Sequence, residues 1–233
     1  MRCGLFGKLP AKRDFISVST PRAFLRLWEP WVDAGLATSR TQIGAAEWAE
    51  VFGSAPIWRF WLGADLCGAT VLGAWMPSVD ALGRYFPLTL IGLPDGDKGL
   101  VSPDLDPCHD WFERAEDFLL ATLDPEARFD AIVASLDELA KPNAESHDDG
   151  LVRDDFFTII GDCAGHPLAR IFAAPAVTNG DYPLSSASFW WTLGGGHYPP
   201  LAWRQENMPE AMLFAAMLTS RFAGRSEETL QTG

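Results

Sequence analysis

The sequence predicts an α/β protein, a three-layer αβα sandwich with a mixed central sheet. Apolar runs of strand length lie between Pro56 and Pro94, stretches with helical apolar spacing flank them, and the two kinds of segment interleave along the chain. Strands that are apolar on both faces need cover on both, so helices are expected above and below the sheet.

The first helix is expected over 20–36, with Thr20 as N-cap, Pro21 at the first helical position and Phe24, Leu27, Trp28 and Trp31 on one face. Pro30 should bend or interrupt it near Trp28, because the proline ring clashes with the carbonyl four residues back. Ile57 to Leu62, Ala69 to Trp75 and Tyr85 to Leu93 read as strands between Gly and Pro punctuation. Two helices follow. One carries Trp111, Ala115, Phe118 and Leu119; the other starts at Asp124-Pro125, presents Phe129, Ile132, Val133, Leu136 and Leu139, and stops at Pro142. Asn143 to Asp155 reads as an acidic exposed loop. Phe156 to Ile160, Ala169 to Ala173 and Phe189 to Leu193 are further candidate strands, and Pro209 to Phe222 a closing helix. One domain is expected over 1–223 and a flexible tail over 224–233.

With 233 residues, 48% hydrophobic content and ten tryptophans, the chain has ample material for a core. A formal net charge of -13 and no Lys/Arg cluster disfavour nucleic acid and anionic membranes as partners. No apolar run approaches the roughly 20 residues of a spanning helix. The N-terminus lacks the pattern of a secretory signal, so a cytoplasmic location is expected. Cys3, Cys67, Cys108 and Cys163 lie far apart in unlike contexts, as suits reduced buried thiols.

No catalytic set is complete. Gly4-Leu5-Phe6-Gly7-Lys8-Leu9-Pro10 has two residues between its glycines where a phosphate loop needs four, and Leu9 stands where the metal-binding hydroxyl would be. Gly194-Gly195-Gly196 reads as a turn, and Ser185, Ser186 and Ser188 lack the frame of a nucleophile elbow. His109 beside Cys108, and His166 after Cys163, are fragments without a ligand set. No cofactor, metal or catalytic residue is therefore expected. Ser78, Asp80 and Arg84 interrupt two apolar runs, and Lys8, Arg13 and Asp14 form a second polar cluster. Loop bracing and a shared recognition spot both account for them. Trp190 and Trp191 must face opposite sides of a strand, with one ring in the core and the other available as a protein-binding anchor.

These segments together carry a resemblance. Gly4 to Pro10 with Asp14-Phe15, Ala55-Pro56-Ile57-Trp58-Arg59-Phe60, Met76-Pro77-Ser78-Val79-Asp80, Gly83-Arg84-Tyr85-Phe86-Pro87-Leu88-Thr89 and Ser188-Phe189-Trp190-Trp191-Thr192 occur in the order expected of the TagF/ImpM family of type VI secretion-associated proteins, which the chain resembles. The resemblance implies a three-layer αβα sandwich and a cytoplasmic, non-enzymatic post-translational regulator, typically a repressor, whose partner is a forkhead-associated scaffold protein. Candidate binding residues are Lys8, Asp14, Arg59, Ser78, Asp80, Arg84, Trp190 and Trp191. Two other readings stand beside it: a small-ligand sensor or enzyme with a pocket around Lys8, Asp14, Ser78, Asp80 and Arg84, and a structural subunit of the secretion apparatus.

Overall fold

The computed structural model describes residues 1–96, 99–139, 158–159, 182–196 and 198–222. Its strands are β1 (Arg2–Gly7), β2 (Ile16–Val18), β3 (Trp58–Leu62), β4 (Val71–Met76), β5 (Leu88–Leu93), β6 (Thr158–Ile159), β7 (Ala187–Thr192) and β8 (Leu201–Glu206). They form one sheet in the order β2-β1-β5-β4-β3-β7-β8-β6. Every pairing is antiparallel except β6 with β8, which makes the sheet mixed at one edge.

The described helices are α1 (Arg22–Ile43), α2 (Trp48–Ser54), α3 (Ala64–Cys67), α4 (His109–Ala121), α5 (Phe129–Leu139) and α6 (Ala211–Thr219). Side-chain parity along β3 decides which face each helix covers. Trp58 and Phe60 point toward α1 and α6: Phe60 lies 4.6 Å from Trp28, and the Trp58 indole donates to the Met217 carbonyl at 3.1 Å. Arg59 faces α4, where its guanidinium lies 5.2 Å from the Phe112 ring. Helices α4 and α5 pack on that second face, so the sheet is covered on both sides as its double apolarity requires.

The first helix differs from expectation at the cap, and Pro30 does not interrupt it. Pro21 is the N-cap, while the Thr20 hydroxyl donates to the Leu5 and Val18 carbonyls and ties the turn to β1 and β2. The helix runs unbroken through Pro30 to Ile43. Pro30 and Arg26 are both exposed, so the Arg26 carbonyl that loses its intrahelical donor turns to water, while buried Trp28, Trp31, Val32 and Leu36 hold the opposite face. The fifth helix begins at Phe129, not Asp124; residues 124–127 form a turn in which the Asp124 carboxylate accepts from the Glu126 amide at 2.9 Å. Strand β8 is not expected from the sequence, and β7 and β8 are joined through Gly194, Gly195 and Gly196, all at positive φ, with Gly195 and Tyr198 exchanging two 3.0 Å backbone bonds. Of the expected Phe156 to Ile160 strand, Thr158–Ile159 is present. The expected strand Ala169 to Ala173, the stop at Pro142, the acidic loop Asn143 to Asp155 and the tail 224–233 lie outside the described residues.

The aromatic layer under α1 contains a buried polar contact, the Trp28 indole donating to the Thr89 hydroxyl at 3.0 Å. Trp28→Phe leaves that hydroxyl without its donor in a dry site and is expected to cost about 1–3 kcal/mol, while Trp28→Phe with Thr89→Val costs less than the single change. Urea unfolding followed by circular dichroism checks the order; equal losses would show that the bond contributes nothing.

Candidate functional site

The site forms where the chain leaves β1 and where it passes from β4 to β5. Gly7 ends β1 at φ 134°, and a Cβ there would lie 2.1 Å from the Pro87 carbonyl oxygen. The glycine thus lets β1 meet the start of β5; its role is backbone approach, not a phosphate cradle. Lys8 follows and is buried with its ammonium 3.2 Å from Asp80 Oδ2.

The loop 77–87 winds around Asp80. Its Oδ1 accepts from the Leu82 and Arg84 amides at 2.9 and 3.0 Å, and its Oδ2 accepts from Arg84 Nε at 2.7 Å. A Val79–Tyr85 bridge closes the base. The Ser78 hydroxyl donates to the Lys8 carbonyl at 2.7 Å, and the Ala81 amide to the Lys12 carbonyl at 2.8 Å, stitching this loop to the one after β1. Arg84 reaches across to the Arg13 carbonyl and lies 3.8 Å from Asp14. Burial alone would raise the Asp80 carboxyl. Bonds from the Arg84 amide, the Lys8 ammonium, the Leu82 amide and the Arg84 guanidinium more than offset that and hold it well below the usual carboxylate range.

Lys8, Asp14, Ser78, Asp80 and Arg84 therefore come together, as one knot of mutually satisfied groups. Chemically the knot fixes two loops as a unit, because both Asp80 oxygens and the Lys8 ammonium are engaged within it. Arg59, Trp190 and Trp191 are elsewhere, in the core of the sheet. Arg59 pairs with Glu116 of α4 at 2.6 Å. Trp190 and Trp191 do face opposite sides, yet neither ring is exposed: Trp190 packs among Trp28, Trp31 and Phe60, and Trp191 lies 4.9 Å from Phe112. The expectation of one exposed tryptophan anchor is corrected by α4, which covers the second face.

Besides the charged Asp14 and Arg84, the two loops expose two apolar side chains. Phe15 is 53% exposed and Leu82 59% exposed, beside the half-exposed Arg84. Phe15 is held edge-on to Phe86 at 4.7 Å and stacks near Phe6 at 6.0 Å, with the Lys8 ammonium 5.0 Å from its ring. Neither Phe15 nor Leu82 stood among the candidate residues; a phenylalanine in an otherwise polar loop, Lys12-Arg13-Asp14-Phe15, was the available signal.

Among the described residues, the candidate cysteines are protonated and the candidate serines hydrogen-bonded. Burial pushes the Cys3 and Cys67 thiols up to about 11, and burial together with Asp106 pushes Cys108 up to about 12, so all three stay protonated at neutral pH. Ser185 donates to Asp65 at 2.5 Å, Ser186 to the Pro183 carbonyl at 3.0 Å and Ser188 to the Asn207 carbonyl. Cys163, His166 and His197 lie outside the described residues. Among the described residues no helix is long and apolar enough to cross a membrane.

Comparison with known proteins places this geometry. Among curated proteins, none matches the chain. The crystal structure of PA0076 from Pseudomonas aeruginosa PAO1 is similar over 99% of this chain and 99% of that one, at 31% sequence identity and a TM-score of 0.72. The model of the TagF N-terminal domain, type VI secretion system-associated, matches residues 4–139. That span runs from within β1 to the end of α5, including Lys8, Phe15, Asp80 and Arg84, and the chain belongs to the TagF family of type VI secretion-associated proteins.

Proposed function

We propose that this protein is a cytoplasmic, non-enzymatic post-translational regulator of a type VI secretion system, a repressor that acts by binding a forkhead-associated scaffold protein. The reading rests on family membership and on one structural observation: Phe15, Leu82 and Arg84 are exposed on the two loops that the Lys8–Asp80–Arg84 knot joins. A preorganised aromatic and an arginine beside it are the residue types that dominate protein–protein binding energy, since they bury much area and lose little side-chain freedom. The knot supplies the rigidity and the patch supplies the contact.

The test is a quantitative pull-down of the scaffold from the same secretion system. Wild type should bind, and Phe15→Ala and Leu82→Ser should each weaken binding by more than about tenfold with unchanged melting. Trp191→Ala is unsuitable, because that ring is core. Absent wild-type binding, or full binding by both variants, would overturn the scaffold assignment and the patch respectively.

A further inference from the structure

The segment 8–15 joins β1 to β2 and ends on Phe15. Three of its ties run to one neighbour, the loop 77–87: Lys8 meets Asp80, the Lys12 carbonyl accepts from the Ala81 amide at 2.8 Å, and the Arg13 carbonyl accepts from Arg84. These ties hold the two loops to each other. A fourth contact runs elsewhere, from the Lys12 ammonium to the ring of Phe129, the first residue of α5, at 4.3 Å from its centre.

Among the described residues the Lys12 ammonium makes no ion pair, so the attraction of its charge for the negative face of the ring is the contact that directs this long side chain. The ring stands on a secured helix. Ile132, Leu136 and Leu139 of α5 are buried, and Arg114 of α4 donates to the Glu138 and Leu139 carbonyls at the far end, both at 3.2 Å. Phe129, half-buried at the start of that helix, thus links the helical layer to the segment that carries the exposed phenylalanine.

We propose that Phe129 is a positioning residue for Phe15, acting through Lys12. The inference rests on reading Phe15 as a contact with the scaffold, and it names a residue outside the knot on which that contact depends. Packing alone would accept any apolar side chain of similar size at Phe129, whereas the charge–ring contact requires an aromatic there and a cation at Lys12.

The experiment places para-fluorophenylalanine in the full chain at the position of Phe15, where fluorine NMR reports the surroundings of the ring without any partner. Lys12→Met and Phe129→Leu should each move the resonance toward its unfolded position, and the double variant no further than either single one. Lys12→Arg and Phe129→Tyr keep a cation and a ring and should hold the wild-type position. In the scaffold pull-down each of the first two changes should weaken binding by about twofold to fivefold, with Lys12→Arg unaffected. An unmoved resonance in both single variants, or shifts that add in the double one, would overturn the proposal, as would a moved ring with wild-type scaffold affinity. Absent scaffold binding by the wild type counts against the scaffold reading alone, and the resonance then decides the positioning.

Discussion

Glu116→Ala is expected to destabilise the protein far more than Arg59→Met, although Arg59 is the more deeply buried partner. Arg59 lies under α4 with its Nε 2.6 Å from Glu116, and its Nη2 meets no hydrogen-bond acceptor among the described residues. Glu116 keeps 20% of its side chain exposed. Removing the glutamate strands a guanidinium charge in a dry layer between Phe112 and the sheet, at a cost of about 3–5 kcal/mol. Replacing the arginine with methionine instead leaves a carboxylate that turns to water and fills the volume with an apolar chain, which costs under about 1.5 kcal/mol or stabilises. Arg59→Met placed in the Glu116→Ala background should recover most of the loss. Urea unfolding of the three variants decides it; a Glu116→Ala loss within about 1 kcal/mol of wild type would mean the pair contributes nothing net.

That pair also shows where sequence reading stops. The strand Trp58–Leu62 was legible from its residue types, and its period of two correctly puts Arg59 and Phe60 on opposite faces. Nothing local says that the arginine's face is covered, because its cover comes from α4, 57 residues away in the chain at Glu116. The same cause misplaced the exposed tryptophan: parity separates Trp190 from Trp191, but only the packed Phe112 buries the second ring. Pro30 failed as a break because tertiary burial of Trp28, Trp31 and Val32 outweighs one lost backbone bond on the wet side. Strand β8 went unseen because Arg204-Gln205-Glu206 gives half of it the composition of a loop. By contrast the polar members of the site, Lys8, Asp14, Ser78, Asp80 and Arg84, were visible as interruptions in apolar runs. Their meeting at one place was among the sequence readings; which atoms pair across seventy or more residues was not legible, since short-range periodicity carries no information about how two loops dock.

Asp80→Asn is the change expected to separate the knot from the patch it supports. Asparagine keeps the shape and can still accept at one oxygen, so the turn amides of Leu82 and Arg84 retain a partner. Lys8, however, loses its counter-charge while remaining buried, and the melting temperature should fall by about 10 °C. The pH dependence gives the assignment its signature. Asp80 is held well below the unfolded carboxylate value of about 3.9, so its contribution is fully present above that value and is lost as pH falls toward the folded one. The stability difference between wild type and Asp80→Asn should therefore be constant from pH 7 to about 5 and shrink below about 4, because a protonated Asp80 is no better a partner for Lys8 than asparagine. Other carboxylates titrate equally in both proteins and cancel in the difference. A gap that stays constant into acid would assign the loss to geometry instead of charge. If the gap closes as expected, scaffold binding by Asp80→Asn at neutral pH becomes the informative reading: the Phe15 and Leu82 side chains are untouched, so any weakening measures how much of the affinity comes from holding them still.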